Sequence, residues 1–299
     1  MSGHHHHHHH PHGTDAGTGT GTELDWDAMA PMLERGAEVE TPLYRDALAW
    51  LAELAPPSGV RRVLDVGSGP GVLSTLLADA FPDAEIVAAD ATGPLLERAR
   101  ARAERHGYGD RFHTLRAELP EGIEALGEAD VIWAGNAVHH IGDQGAALAG
   151  LAGLLRPGGV VAVVEGGLST RRLPRDIGVG QPGLEARLDA VQSEWFQRMR
   201  DELPGGRRVT EDWLALFAAA GLTPTGTRAF LLDVPAPAPE PVREHVIQTF
   251  ERLREIGERL DGDDRATLER LLDPEDPESL HRRVDVHYLT ARAVHTARR

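Results

Sequence analysis

Residues 63–71 read Val63-Leu-Asp65-Val-Gly67-Ser-Gly69-Pro-Gly71, an apolar run that ends in an acid and passes directly into a glycine-rich turn. An apolar pattern at helical spacing follows over residues 73–81. A strand, a glycine turn and a helix in this order place free backbone N–H groups and a helix N-terminus at the carboxyl edge of a parallel sheet. The stretch predicts an α/β fold with a cofactor site at the turn, although a tight turn without a ligand is the alternative.

The alternation of strand and helix continues along the chain. Strands are predicted at 60–65, 85–90, 111–117, 131–134, 160–165, 227–234 and 284–294, and helices at 94–106, 144–155 and 211–220, with a short one near Ile123. Strands that alternate with helices at this spacing are typical of a doubly wound, mostly parallel sheet covered on both faces. We therefore predict a seven-stranded α/β fold.

Three further segments predict a helical cap over the sheet. Residues 24–54 show a helical apolar pattern, residues 184–199 form a second apolar face, and residues 242–260 form a third after the stiff proline-rich spacer 235–241. The expected divisions are a purification tag and flexible leader (1–22), N-terminal helices (23–57), a cofactor-binding core (58–166), a cap insertion (167–209), continued core (210–234), a second cap insertion (235–283) and the last core strand (284–299).

Composition excludes several enzyme classes. The chain of 299 residues has 31 basic side chains, all of them arginine, against 47 acidic ones, and it has no cysteine. A lysine Schiff base, a phosphate-binding loop with its lysine, a cysteine nucleophile and a thiolate metal site are therefore excluded. The formal net charge of −16 argues against a nucleic-acid partner. With no run of about 20 apolar residues and no signal-peptide pattern, the chain is predicted to be cytoplasmic, and its composition is typical of a bacterial, high-GC genome.

Three polar groups are predicted to meet the glycine turn at one edge of the sheet. Asp65 ends the first strand, where it could face a cationic amino group or the helix start, and Asp90 ends the second, where a carboxylate can accept hydrogen bonds from both hydroxyls of a ribose. Asn136-Ala-Val-His139-His140 follows the fourth strand. The glycine spacing differs from the G-x-G-x-x-G pattern of dinucleotide sites.

The combination of these motifs resembles the class I S-adenosylmethionine-dependent methyltransferases. The resemblance rests on residues 63–71, Asp90, residues 136–141 and the Leu154-Leu-Arg-Pro-Gly-Gly159 turn, and it covers about residues 60–234. It implies an antiparallel seventh strand, S-adenosylmethionine as cofactor and S-adenosylhomocysteine as product. It also implies a cofactor site formed by Asp65, Gly67, Ser68, Gly69, Gly71, Asp90, Ala91, Ala117, Glu118 and Asn136.

Within that resemblance the glycine turn would pack against the cofactor, Asp65 would help to hold its amino group, and Asp90 would bind the ribose. Ala91 would lie against the adenine, Glu118 after Ala117 would accept from the adenine amino group, and Asn136 would meet the amino acid end. Tyr44 and Arg45 on the N-terminal helices are candidates to close over the cofactor, with the arginine pairing with its carboxylate. A surface salt bridge is the equal alternative for Arg45.

The candidate catalytic residues are His139, His140 and Glu165. An unperturbed imidazole titrates near neutral pH and can serve as a general base when the acceptor arrives protonated. A packed structural histidine or a group that orients a substrate oxygen is the alternative for either ring, and Glu165 could equally be a solvated strand-end acid. A metal mechanism is disfavoured, because only Asn136 and Glu165 stand where oxygen ligands would cluster.

Trp195, Phe196, Met199 and His245 are candidates to line an acceptor pocket in the cap, although core packing explains them as well, and Tyr44 is a further candidate to contact the acceptor. We expect a methyltransferase that acts on a small molecule of bacterial specialised metabolism, at oxygen, nitrogen or an electron-rich aromatic carbon such as an indole. The aromatic cap favours an aromatic acceptor. The alternatives are a methyltransferase-like cyclase or scaffold that binds the cofactor without transferring methyl, and a less favoured NAD-dependent oxidoreductase. Either a monomer or a homodimer is compatible with the sequence.

Overall fold

A computed structural model describes residues 26–257 and 260–299, so the predicted tag and leader lie outside the described residues. The helices are α1 (Trp26–Val39), α2 (Thr41–Leu54), α3 (Val72–Ala80), α4 (Gly93–Arg105), α5 (Gln144–Leu154), α6 (Leu184–Glu202), α7 (Trp213–Ala219), α8 (Glu240–Ile256) and α9 (Gly262–Leu272). The strands are β1 (Arg62–Val66), β2 (Glu85–Asp90), β3 (Phe112–Arg116), β4 (Ala129–Gly135), β5 (Leu155–Arg171), β6 (Thr223–Val234) and β7 (Tyr288–Arg298).

The seven strands form one sheet in the order β3-β2-β1-β4-β5-β7-β6. Strands β1 to β5 pair in parallel, and β7 runs antiparallel to both β5 and β6. The predicted fold class is therefore confirmed, including the antiparallel seventh strand. The chain reverses its strand order between β1 and β4, which opens a crevice at their carboxyl ends.

Alternating side chains of the central strands serve two separate hydrophobic cores. Val63 and Val131 belong to the core beneath α2, α3 and α4, whereas their neighbours Leu64 and Ile132 belong to the core beneath α5 and α7. The two-residue period of a strand sends successive side chains to opposite faces. Because both faces are covered, these strands are apolar nearly throughout, as the sequence predicted.

The largest errors in the predicted strand boundaries concern β5 and β7. β5 extends beyond the predicted 160–165 because β7 continues to pair with it across two register shifts, as far as the Arg171–Leu289 pair. β7 begins at Tyr288 instead of Val284, whose side chain is exposed. The predicted spacer is also shorter than 235–241, since Pro241 lies in the first turn of α8, where proline is tolerated.

Helices α1, α6 and α8 form a cap over the carboxyl edge of the sheet. Arg200 of α6 donates from Nη1 to the carbonyl oxygens of His139 and Ile141 at 2.6 and 2.8 Å. Gly36 of α1 brings α8 so close that an added Cβ would lie 2.9 Å from the His245 ring. The cap is therefore fixed to the loop after β4, and α1 and α8 pack closely against each other. The expected division into core and cap insertions stays a prediction. None of the described helices is long and apolar enough to cross a membrane.

Asp130 ties the start of β1 to the starts of β4 and β5. Its Oδ2 accepts hydrogen bonds from the backbone N–H groups of Arg61 and Arg62 at 2.8 and 3.0 Å and from Arg156 Nη1 at 3.0 Å. The carboxylate is 6% exposed. It therefore satisfies two backbone donors that the sheet ladder leaves unpaired.

We expect Asp130→Ala to lower the free energy of unfolding by about 2–4 kcal/mol, because two backbone donors and one guanidinium lose their acceptor. Urea titration measures the loss. The control is Glu128→Ala, which removes a carboxylate 3.9 Å from the same arginine at an exposed position and should cost no more than about 0.5 kcal/mol. Equal stability of the two variants would contradict the assigned role of Asp130.

Candidate active site

A cavity of about 820 Å³ lies between the carboxyl edge of the sheet and the cap. This volume falls in the upper part of the range of about 300–1,000 Å³ found for small-molecule sites. Fifteen of the predicted site residues line it: Tyr44, Gly67, Ser68, Gly69, Asp90, Ala91, Ala117, Glu118, Asn136, His139, His140, Trp195, Phe196, Met199 and His245. The structure thus brings the predicted cofactor, catalytic and acceptor residues to one place.

The glycine turn is held by hydrogen bonds to the end of β2. The N–H groups of Gly67 and Ser68 donate to the Ala89 carbonyl at 2.8 and 3.0 Å. Asp90 accepts from the N–H of Gly69 at 3.0 Å and from that of Thr92 at 2.9 Å. An ionised carboxylate has about four acceptor positions, so Asp90 retains capacity for a ligand in the cavity.

Two features of the turn fit a bound cofactor. The hydroxyl oxygen of Ser68 is buried and has no hydrogen-bond partner among the described residues, although Ser68 lines the cavity. Gly69 has a φ of +52°, and an added Cβ there would meet nothing within 4 Å, so the backbone is open to the cavity. An unpaired buried hydroxyl and an open backbone are the features expected of a turn that receives a polar ligand.

Asn136 lies in a strained conformation just after β4. Its φ is +52°, and among the described residues it is the one residue other than glycine with a positive φ. Its N–H donates to the Val164 carbonyl at 3.0 Å, and its side-chain nitrogen contacts the Tyr44 hydroxyl at 3.4 Å. Such strain is concentrated at functional sites, where the surrounding structure enforces it.

His139 and Glu165 form a hydrogen-bonded pair at the centre of the edge. Nδ1 of His139 lies 2.8 Å from Oε2 of Glu165, and the backbone N–H of His139 donates to Oε1 at 3.2 Å. Because an ionised carboxylate can only accept, Nδ1 carries the proton and Nε2 is the basic nitrogen. Glu165 itself is buried and does not line the cavity. It is therefore not a solvated strand-end acid, and its candidate catalytic role is corrected to one that acts through His139.

His140 packs against His139, with ring centroids 4.1 Å apart. Burial, followed by the charges of His139 and Arg200, lowers the pKa of His140 to about 3. A neutral ring of such low basicity is a poor general base. Phe196 of the cap lies on the other side of His139, with centroids 5.3 Å apart. The geometry therefore favours His139 over His140 as the base.

Three predicted cofactor residues do not line the cavity. Asp65 points to the opposite side of the turn, where it is 2% exposed and accepts from the Ser74 hydroxyl at 2.5 Å. Gly71 packs against α4, where an added Cβ would lie 2.5 Å from the Ala99 Cβ. Arg45 follows Tyr44 by one helical step of about 100° and is exposed on the outer face of α2. Its predicted contact with the cofactor carboxylate is therefore contradicted.

A buried charged cluster that sequence reasoning missed forms one wall of the cavity. Glu40, at the junction of α1 and α2, receives hydrogen bonds from Arg292 at 2.5 and 2.9 Å and from the Tyr288 hydroxyl at 2.8 Å. Burial by itself would raise the pKa of Glu40, but Arg292 and Tyr288 together hold it below its usual value. Glu40 and Arg292 are 252 residues apart in the sequence, and no local motif marks either of them.

No group of three or more His, Cys, Asp or Glu side chains positioned to hold a metal ion occurs in residues 26–257 and 260–299. The site that the described residues form is therefore one of a glycine turn, carboxylates, imidazoles and aromatic rings.

Comparison with known proteins agrees with this site. Residues 64–161 match a family model described as a methyltransferase domain. The chain is 34% identical over 158 residues to trans-aconitate 2-methyltransferase of Methylobacterium radiotolerans, covering 52% of this chain and 58% of that one. It is 32% identical over 143 residues to demethylmenaquinone methyltransferase of Thermus thermophilus, covering 47% and 60%. The alignments therefore span less than two thirds of the length of either relative.

A solved structure with a similar fold is that of an O-methyltransferase family protein from Burkholderia thailandensis. It shares 21% sequence identity, covers 68% of this chain and 54% of its own, and superimposes with a TM-score of 0.46.

We expect Asp65→Asn to stabilise the protein more at pH 8 than at pH 5. Burial raises the pKa of Asp65 to about 7, from an ordinary value of 3.8. Ionisation is therefore disfavoured in the folded state, and stability is lost as the pH rises from about 4 through 7. The variant should gain up to about 4 kcal/mol at pH 8 and less than half of that at pH 5. Urea titrations at both pH values test this, with the exposed Asp83→Asn as control, and a pH-independent effect of Asp65→Asn would refute it.

Proposed function

We propose that this chain is a class I S-adenosylmethionine-dependent methyltransferase that transfers a methyl group from S-adenosylmethionine to a small-molecule acceptor. The match of residues 64–161 to a methyltransferase-domain model and the order of the strands support this proposal. The observation that carries the proposal is that the glycine turn, Asp90 and His139 line one cavity, with Glu165 bonded to His139 from outside it. The two relatives described above are named as methyltransferases of trans-aconitate and of demethylmenaquinone.

The sheet edge supplies the groups that would hold the cofactor. Asp90 would accept hydrogen bonds from the ribose hydroxyls with its remaining oxygen lone pairs, while its other contacts keep the turn in shape. The unpaired hydroxyl of Ser68 would bind the polar amino acid part, and Glu118 would accept from the adenine amino group. Asp65 would act from beneath the turn, through the α3 N-terminus, because it does not reach the cavity.

S-adenosylmethionine supplies a sulfonium methyl with an activated leaving group. The acceptor would supply the lone pair for the new bond to the methyl group, with neutral S-adenosylhomocysteine as the leaving group. When the acceptor arrives protonated, Nε2 of His139 takes its proton, and Glu165 stabilises the imidazolium through Nδ1. The cap excludes water and holds the acceptor in line, which is most of the work in a reaction of this kind.

The acceptor would lie beneath the cap, between His139 and the helix α6 side chains Trp195, Phe196 and Met199. Flat, apolar walls favour an aromatic acceptor, and the site accommodates transfer to oxygen, nitrogen or an electron-rich ring carbon. We propose a small molecule of bacterial specialised metabolism, methylated in the cytoplasm.

Calorimetric titration with S-adenosylmethionine and S-adenosylhomocysteine, with NAD and NADP as controls, tests the cofactor assignment. Micromolar binding of the two sulfur nucleosides alone is expected. A screen of small aromatic phenols, amines and indoles for a mass increase of one methyl group then tests transfer. Binding of the dinucleotides instead would overturn the proposal, and cofactor binding without transfer to any acceptor would favour a non-transferring scaffold.

Asp90→Ala should weaken S-adenosylhomocysteine binding at least tenfold, because the ribose loses its acceptor and the Gly69 N–H loses its partner. Calorimetry measures the change. Asp83→Ala removes an exposed carboxylate from the loop before β2 and should leave the affinity unchanged. Asp90 would be removed from the site if its variant bound as tightly as the control.

His139→Ala should lower kcat by about 10²–10³-fold with a protonated acceptor, since a positioned base typically contributes about 10²–10⁴-fold. The S-adenosylhomocysteine affinity and the melting temperature should change little, and added imidazole should restore part of the rate. The exposed ring of His113 provides the control His113→Ala. A lost melting transition, or a rate that imidazole does not restore, would instead indicate a packing role.

A further inference from the structure

The two ends of the cavity differ in charge. Asp90 and Glu118 lie at the glycine turn, whereas the end beneath the cap carries three arginines, Arg172, Arg252 and Arg292, against one carboxylate, Glu40. The arginine end stands out because the chain as a whole has a formal net charge of −16. A pocket that concentrates positive charge against this background is suited to an anionic group.

We propose that the methyl acceptor carries an anionic group, a carboxylate or a phosphate monoester, and that Arg172 and His245 bind it at the cap end. This inference rests on the proposed function. It identifies the chemical class of the acceptor and two residues that select it.

The first observation is a pair of unpartnered polar atoms. Nε of Arg172 and Nδ1 of His245 are buried and have no hydrogen-bond partner within the described part of the chain. Both residues line the cavity, and the ring of Tyr288 lies 5.7 Å from the His245 ring and 5.9 Å from the Arg172 guanidinium carbon. Buried polar groups are nearly always paired, so an anionic group bound beside this aromatic ring would supply the partner that both atoms lack.

The second observation is that the three arginines are neutralised to different degrees. Arg292 makes two hydrogen bonds to Glu40 at 2.5 and 2.9 Å and is fully engaged. Arg252 lies at the rim, stacked over the Trp195 ring at 5.4 Å. Its carboxylate partner is largely exposed, at 3.5 Å, so it contributes little specific binding.

Unlike Arg292, Arg172 has a carboxylate partner that neutralises its positive charge only in part. Its carboxylate partner, Glu185, lies 3.4 Å from Nη1. Glu185 already accepts from the backbone N–H groups of Arg172 and Leu173 at 3.0–3.1 Å. The carboxylate is therefore shared between two amides and one guanidinium, which leaves Arg172 with charge and a free donor for an oxyanion.

His245 complements Arg172 as a neutral donor. Burial, followed by the positive charge of Arg172, lowers the pKa of His245 to about 4. A neutral imidazole can donate one N–H to an oxyanion without repelling the neighbouring guanidinium. Gly36 fixes the ring in place, because an added Cβ there would lie 2.9 Å from it.

Binding at this end would orient the acceptor. An anion held by Arg172 and His245 fixes one end of the molecule, so that its nucleophilic atom projects along the cavity towards His139. Such fixation lowers the entropic cost of bringing the two reactants into line. A neutral analogue would leave the buried guanidinium unpaired and would bind more weakly.

The test is calorimetry on the full chain saturated with S-adenosylhomocysteine. The probes are hydroxylated aromatic acids of one to three rings, each with its primary amide, and the matching aryl phosphates. We expect the acids or the phosphates to bind at least tenfold more tightly than the amides, and the better of the two series identifies the anionic group. Arg172→Gln should abolish this preference.

Arg171→Gln is the matched control. The neighbouring arginine has a side chain that is 40% exposed, pairs with Asp189 at 2.7 Å and does not line the cavity. This variant should keep the wild-type preference. His245→Phe, which preserves the shape of the ring and removes its donor, should reduce the preference at least threefold.

Equal or tighter binding of the amides by the wild type would overturn the inference, and this comparison does not depend on the folding of any variant. An unchanged preference in Arg172→Gln would overturn the assignment of the residue. Failure of the proposed function is distinguishable, because it would appear as a lack of S-adenosylhomocysteine binding in the absence of any acceptor probe.

Discussion

The hydrogen bonds between the end of β2 and the turn after β1 are the constraint on which the cofactor end of the site depends. The Ala89 carbonyl and the Asp90 carboxylate together hold the N–H groups of Gly67, Ser68 and Gly69. One short segment of β2 therefore shapes the turn and presents a carboxylate to the cavity. The geometry of the cofactor end follows directly from the pairing of β1 with β2. A change in the register of that pairing would displace both the turn and the Asp90 carboxylate.

The acceptor end is built in a different way. Its walls come from α1, α6, α8 and β7, which meet through side chains that are distant in sequence. The bonds from Arg200 to the loop after β4 hold α6 in place, and the Glu40–Arg292 pair holds the start of α2 against β7. Only β7 among these walls is held by a sheet ladder, whereas the helices are held by a few long side chains.

The difference explains which parts of the molecule could be predicted from its sequence. The sheet, its flanking helices and the residues of the glycine turn follow from local periodicity and spacing, and these predictions were largely correct. The errors arose where a shift of one residue along a strand or helix decides which way a side chain faces. Asp65 shares the face of Val63, under α3, and Arg45 lies one helical step beyond the inward-facing Tyr44.

The functional residues that sequence analysis missed were missed for a different reason. Glu40, Arg172 and Arg292 are ordinary charged residues in their local sequence, and their importance arises only from partners brought together by the fold. The extended ends of β5 and β7 were likewise unpredictable, because each strand is prolonged by pairing with the other.

The position of β7 has a consequence for how the site is assembled. This strand is inserted between β5 and β6, and it contributes Tyr288 and Arg292 to the cavity. It covers residues 288–298, so the cavity is complete only when this strand is paired with both β5 and β6. Any molecule that binds against Tyr288 or Arg292 therefore favours the state in which β7 is inserted. Ligand binding and the insertion of β7 are thermodynamically linked, and each stabilises the other.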